Sequence, residues 1–182
     1  NKSRPYQQIV FQYSLHIKES SDSDINHSEY LANPTEDPRV KFVEQIIKDC
    51  GNHGDVLVYN IGFERSKLID LIDVFPEYSK ELKGIVNRLK DLMIPFQQKW
   101  YYTPEMKGSY SIKNVLPAMV PELSYNDLEI KEGGIASDTF LQMINKSFKG
   151  NEELTRKQLL KYCKLDTLAM VKILKKLESV ID

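Results

Sequence analysis

The sequence predicts an α/β domain with a mixed sheet and helices on its faces. Three observations predict it. Residues 7–17, QQIVFQYSLHI, alternate and are rich in β-branched and aromatic residues, the pattern of a strand. Residues 56–59, VLVY, have no polar side, which suits a central parallel strand covered on both faces. From residue 37 onward, apolar residues recur at helical spacing in several separate segments, so helices and strands alternate after an antiparallel beginning.

The elements follow in order. After the first strand, ESSDSDINHS (19–28) reads as a polar loop, and residues 29–32 as a second short strand before Asn33-Pro34. Asp37-Pro38 opens a helix: the aspartate caps free amides and proline fits the first turn. Val40, Val43, Ile47 and Cys50 form its apolar stripe, and GNHGD (51–55) ends it. Beyond 56–59, Asn60-Ile61-Gly62 leads into a helix that runs to Phe75 and stops at Pro76. Residues 79–90 read as a third helix with Leu82, Ile85 or Val86, and Leu89 inward, and Asp91-Leu92-Met93 as a strand start or a buried connection. The aromatic stretch QQKWYYTPEMKGSYS (97–111) reads as an ordered loop, and 111–119 as a short helix. Glu132-Gly133-Gly134 reads as a turn, 136–148 as a helix, and 155–180, with Thr155 as its cap, as the longest helix. No repeat or linker divides the chain, so residues 1–182 read as a single domain.

Composition narrows the classes. At 182 residues, 41% hydrophobic and 28% charged, the chain can bury a sizeable core. No apolar run has membrane-spanning length, which predicts no membrane partner. A formal net charge of -1 argues against a protein that coats duplex nucleic acid, yet leaves room for a nuclease with a basic rim around an acidic centre. Cys50 and Cys163 fit no zinc spacing and lie on apolar stripes, as reduced core cysteines of a cytoplasmic protein would. His16, His27 and His53 are scattered without ligand spacing, and there is no serine nucleophile elbow or phosphate-binding glycine loop.

Two acids break the apolar pattern. In the last helix, Leu159, Cys163, Asp166, Met170, Ile173 and Leu177 share one stripe, and its sole acid is Asp166. In the helix after the 56–59 strand, Ile61, Glu64, Leu68, Leu71 and Phe75 share another, with Glu64 the intruder. A carboxylate facing a core must be paired, hydrogen-bonded, protonated or bound to a cation. Arg65 or Arg88 could pair with Asp166, and Glu64 stands near a helix N-terminus, where negative charge is favourable. Together the two acids make a magnesium or manganese site worth proposing. Tyr162, four residues before Asp166, lies on the same side of its helix and could orient a water or a phosphate oxygen. Asn60 could bind a ligand or cap its helix.

These residues carry a resemblance. Val58-Tyr59-Asn60-Ile61-Gly62-Phe63-Glu64 resembles the second motif of the DEDD (DnaQ-like) class of 3′–5′ exonucleases, with Glu64 at its acidic position. Tyr162-Cys163-Lys164-Leu165-Asp166 resembles the third motif, Tyr-x-x-x-Asp, of the tyrosine subclass, and Asp91 the aspartate many members carry after the second helix. The whole chain resembles an uncharacterised bacterial domain family of that class. The similarity runs through Pro5-Tyr6-Gln7-Gln8, Phe11-Gln12-Tyr13-Ser14, Asp37-Pro38-Arg39, Gly108-Ser109-Tyr110-Ser111-Ile112-Lys113 and Val115-Leu116-Pro117. The class carries its first motif, Asp-x-Glu, on the first strand, and no matching segment precedes Pro5.

The resemblance implies a ribonuclease H-like mixed sheet flanked by helices, here missing its first strand. It implies a metal-dependent nuclease whose carboxylates hold two divalent ions, Mg2+ or Mn2+, with Glu64 and Asp166 on the metal side, Asp91 as a third metal-side or structural acid, and Tyr162 orienting the attacking water. Single-stranded DNA or RNA is the expected partner, steered by Arg65, Lys67 and the Lys107–Lys113 region, with Trp100-Tyr101-Tyr102 either stacking bases or packing the long loop. An additional N-terminal segment or domain is expected in the full protein. Without the first strand, this chain alone is expected to be inactive, with an exposed sheet edge open to a partner strand or a dimer. The alternative is a noncatalytic domain that keeps the fold and binds a protein or a nucleic acid.

Overall fold

The computed structural model describes residues 8–20 and 23–181. The Pro5–Gln7 part of the quoted similarity, the expected strand start at Gln7, and Ser21-Asp22 of the polar loop lie outside the described residues. Within them the architecture is mixed α/β. Strands β1 (Gln12–Ile17) and β2 (Asn26–Leu31) form an antiparallel hairpin in register from Gln12↔Leu31 to Ile17↔Asn26. The second strand therefore starts three residues before the expected 29, inside what reads as a polar loop. Its polar side chains are accommodated because partners await them. Ser28 and Tyr13 both donate to Asp49 of the first helix, and Ser14 Oγ lies 2.9 Å from His27 Nε2.

Helix α1 (Arg39–Cys50) ends at Gly51, whose φ of 54° is the left-handed region that glycine tolerates. Asp37 accepts the Arg39 amide at 3.1 Å and also grips its guanidinium. The buried side of α1 carries Phe42 and Val43, whereas Val40, expected inward, is exposed. Strand β3 (Val56–Val58) runs parallel to β4 (Leu89–Asp91). Between them come α2 (Ile61–Val74), a 3-10 turn at Pro76–Tyr78, and α3 (Ser79–Asn87). The third helix stops short of 90 because Leu89 to Asp91 pair with β3. Arg88 sits at that break and donates to the carbonyls of Cys50, Gly51, His53 and Gly54, fastening the α1–β3 loop.

The second half is helical: α4 (Ile94–Gln97), a 3-10 turn at Pro104–Met106, α5 (Ile112–Met119), α6 (Gly133–Ile144) and α7 (Glu152–Ile181). Gly133 and Gly134, expected in a turn, begin α6, and α7 starts before Thr155. Asn151 serves as its cap, its Oδ1 accepting the Leu154 amide at 3.0 Å.

Two apolar clusters result. Tyr13, Phe42, Val43, Val58, Leu68, Leu71, Leu82, Ile85 and Leu89 pack the β strands against α1, α2 and α3. Leu92, Phe96, Met106, Val115, Leu116, Phe140, Leu159 and Ile173 pack α4 to α7. Among the described residues the strands form two separate two-stranded sheets. The 56–59 strand was expected to be central; among the described residues β3 has one neighbour, β4, and β1 has one, β2. No helix among the described residues is long and apolar enough to cross a membrane.

Candidate active site

Helix α7 lies along β1 and anchors there through a polar seam. Thr167 Oγ1 is 2.7 Å from Ser14 Oγ and 2.8 Å from His16 Nδ1, and the His16 and His27 rings lie 4.7 Å apart. Two histidines that are scattered in sequence are thus neighbours across the hairpin. Desolvation, the His27 ring and Lys164 push the His16 pKa down to about 4, so the seam is neutral at ordinary pH. Just before Thr167 on α7 stand the two residues with the Tyr-x-x-x-Asp spacing, Asp166 next to it and Tyr162 a turn further back.

Asp166 is half-buried and held by phenols, not by an arginine. Tyr125 Oη donates to its Oδ1 at 2.7 Å, and the Tyr162 hydroxyl also bonds it. Burial raises the Asp166 pKa; the two phenols and the Lys113 charge pull against that rise. The expected alternative pairings are not made, since Arg88 is committed to carbonyls and Arg65 is exposed. Glu64, in the first turn of α2, is half-buried and near enough to feel the Asp166 charge. Its pKa is pushed up to about 7, first by desolvation, then by the negative charge of Asp166, with Lys67 opposing. Within 4.0 Å neither carboxylate has a basic partner among the described residues. Lys67 instead pairs with Asp70 at 3.8 Å over the Phe63 ring, and Lys113 with Glu132 at 3.8 Å.

The fold therefore brings Glu64, Asp166 and Tyr162 together, with Lys67 and Lys113 at the rim. It assigns Asp91 and Asn60 differently. Asp91, at the end of β4, accepts three backbone amides: Asn60 and Met93 on Oδ1 at 3.0 and 2.9 Å, and Ile61 on Oδ2 at 2.9 Å. Both oxygens are thereby engaged in capping α2 and turning the chain after β4, the structural member of the two roles expected for it. Asn60 adopts a left-handed φ of 77° and makes no side-chain cap bond, so the cap expected of it comes from Asp91 across the sheet. Among the described residues, no group of three or more His, Cys, Asp or Glu could hold a metal ion, so the chain brings two acids to the site rather than three.

Tyr125 is the site residue that sequence reasoning missed. It lies in an irregular segment between α5 and α6, where no periodicity ties it to Asp166 forty-one positions away. Tyr59 completes the wall: its hydroxyl donates to the Tyr110 carbonyl at 2.7 Å and its ring stacks on Phe96. Tyr125 and Tyr162 have ring centroids 6.4 Å apart. Burial raises the pKa of all three phenols, so each remains a donor at any ordinary pH.

A family model described as a domain of unknown function (DUF2779) matches residues 1–111. An uncharacterized protein of Mycoplasma genitalium, MG366, is 25% identical over 199 residues, covering 100% of this chain and 30% of the relative. Its homolog in Mycoplasma pneumoniae is 28% identical over 193 residues, covering 95% of this chain and 29% of the relative. Uncharacterized protein UU173 of Ureaplasma parvum is 28% identical over 207 residues, covering 100% and 29%. The chain thus spans about 30% of the length of the curated relatives it matches. No solved structure matches the chain.

Proposed function

The chain belongs to the family described as domain of unknown function DUF2779, and we propose that it is the greater part of a divalent-metal-dependent nuclease domain acting on nucleic-acid phosphodiesters. The observation that carries this reading is the convergence of Glu64 and Asp166 without a basic partner within 4.0 Å. Two carboxyl groups that share a desolvated place repel one another as anions. A divalent cation removes that repulsion and favours carboxylate oxygens. Glu64 and Asp166 would hold Mg2+ or Mn2+, which supplies an activated water and stabilises a leaving oxygen. Tyr162, within reach of Asp166, would orient the water, while Lys67 and Lys113 offer positive charge to a phosphate at the rim.

The sheet supports the same reading. One further strand between β1 and β3 would join an antiparallel pair and a parallel pair into a single ribonuclease H-like mixed sheet. In the resembled class that strand carries Asp-x-Glu, the acids that Glu64 and Asp166 lack. The remainder of the longer protein would supply it, in an N-terminal segment. Left unfilled, the same edges suit a second copy of the chain. A cytoplasmic, reduced setting agrees with free Cys50 and Cys163, whose thiol pKa values burial raises to about 11 and about 12.

One observation favours a second reading, a noncatalytic interaction domain. Asp91 is consumed by backbone amides and Asp166 Oδ1 by Tyr125, so this chain satisfies part of its acidic set internally. The experiment that separates the two uses the longer protein, extended upstream through the first strand, beside its Asp166→Asn variant. Degradation of 3′-labelled single-stranded DNA and RNA is followed with and without manganese. The nuclease reading expects manganese-dependent degradation that Asp166→Asn abolishes. Folded protein that degrades neither substrate sinks it in favour of the interaction domain.

A further inference from the structure

The segment that joins α4 to α5 carries a surface that the acidic site does not use. Trp100 is 75% exposed, Tyr102 50% and Tyr110 46%, an unusual display of large rings on one segment of eleven residues. The segment is tied down rather than loose. Tyr101 packs edge-on against Phe96 with centroids 6.1 Å apart, Phe96 stacks on Tyr59, and Tyr59 holds the Tyr110 carbonyl. The Tyr102 hydroxyl accepts the Gly108 amide at 3.2 Å. Met106 is buried beneath, anchoring the turn in the core. Lys99 and Lys107 hold left-handed φ values of 57° and 53°, each terminating a helical turn.

The balance of charge on the segment is positive. Lys99 and Lys107 are exposed and have no acid within 4.0 Å among the described residues. Glu105, the acid between them, is kept ionised by its own backbone amide, so the segment carries two positive charges against one negative. The chain as a whole carries -1, so this is a local cationic patch on a nearly neutral protein. Exposed rings flanked by unpaired lysines match the chemistry of a single strand, whose bases stack on aromatic faces while phosphates meet cations. A duplex hides its base faces and offers the rings nothing. Tyr59 links the patch to the wall of the acidic site, so a strand lying here would lead toward Glu64 and Asp166.

We propose that Trp100, Tyr102 and Tyr110, with Lys99 and Lys107, form a base-stacking platform for single-stranded nucleic acid beside the acidic site. The platform deepens the nucleic-acid reading above and rests on it, but it requires neither metal nor catalysis. Trp100 is the chain's one tryptophan, so its emission reports the platform directly. The 182-residue chain is titrated in chelator with oligothymidylate, with a duplex of equal length and with inorganic polyphosphate. Oligothymidylate quenches the emission saturably, and duplex and polyphosphate do not. Trp100→Leu weakens binding of labelled oligothymidylate by roughly 5- to 150-fold, as loss of one stacked base does, and Trp100→Phe retains most of it. Lys107→Gln lowers the slope of log affinity against log salt by roughly 0.7. Trp100 is exposed, so both replacements leave the fold intact, which circular dichroism checks.

Absence of oligothymidylate binding, equal quenching by polyphosphate, or full affinity in Trp100→Leu overturns the platform. Manganese-dependent degradation by the extended protein alongside any of these leaves the nuclease reading standing and removes only the platform. Quenching without degradation does the reverse.

Discussion

Glu64 shows how one side chain registers its surroundings. An ordinary glutamate is ionised at neutral pH, whereas this one, desolvated beside Asp166, holds its proton up to about pH 7. The folded state binds that proton more tightly than the unfolded state, where the pKa is 4.5. The fold therefore bears no cost from Glu64 below pH 4.5, and loses stability as pH rises from 4.5 to about 7. Glu64→Gln cannot ionise and so escapes the loss. In urea unfolding without divalent ions, the variant is expected to match the parent at about pH 4 and to exceed it by about 1–3 kcal/mol at about pH 8. A difference that does not change with pH would refute the desolvated site. The acid itself was legible, because it interrupts an apolar stripe. Its charged neighbour was not, because Asp166 lies about a hundred residues away and only packing joins the two helices.

At the scale of elements, the junction of β3, β4 and α2 is set by Asp91. A helix begins with free amides, and a strand ending must turn its chain; one carboxylate serves both needs. Asp91→Ala leaves the Asn60, Ile61 and Met93 amides without their acceptor and is expected to cost about 2–3 kcal/mol, with Asp91→Asn costing less. Thermal unfolding of the two variants checks this, and an unchanged melting temperature for Asp91→Ala would exclude the capping role. The helix α2 was readable from its stripe and from Pro76. Its cap was not, because the acceptor comes from the strand across the sheet rather than from Asn60 next to it. The same reason explains the early end of α3. Leu82, Ile85 and Leu89 continue a helical stripe, but pairing of Leu89 with Val56 decides the conformation there.

At the largest scale, the feature with most consequence is the division of the four strands among the described residues into two sheets. Each inner strand has hydrogen-bonding groups on the side away from its neighbour, and such groups must find water or a partner. In the 182-residue chain, β1 amides that do not bond β2 are expected to exchange rapidly with solvent. In the longer protein, with the upstream segment present, they become protected, together with the free edge of β3. Exchange that stays fast there would sink the shared-sheet arrangement. The two apolar clusters keep the halves packed meanwhile, since Tyr13 and Val58 contribute to the same one.

The amino-acid sequence by itself determined the α/β class, the bounds of α1, α2 and α5, and the two acids that stand where apolar residues belong. Each of these is local, written in a periodicity of about 2 or 3.6 or in a proline or glycine beside it. Only the tertiary structure decided that Tyr125 holds Asp166, that Asp91 caps α2, that His16 and His27 meet, and that β1 and β3 share no ladder. Those contacts join residues far apart in the chain, and their energies come from desolvation and hydrogen-bond partners that exist only after the elements pack.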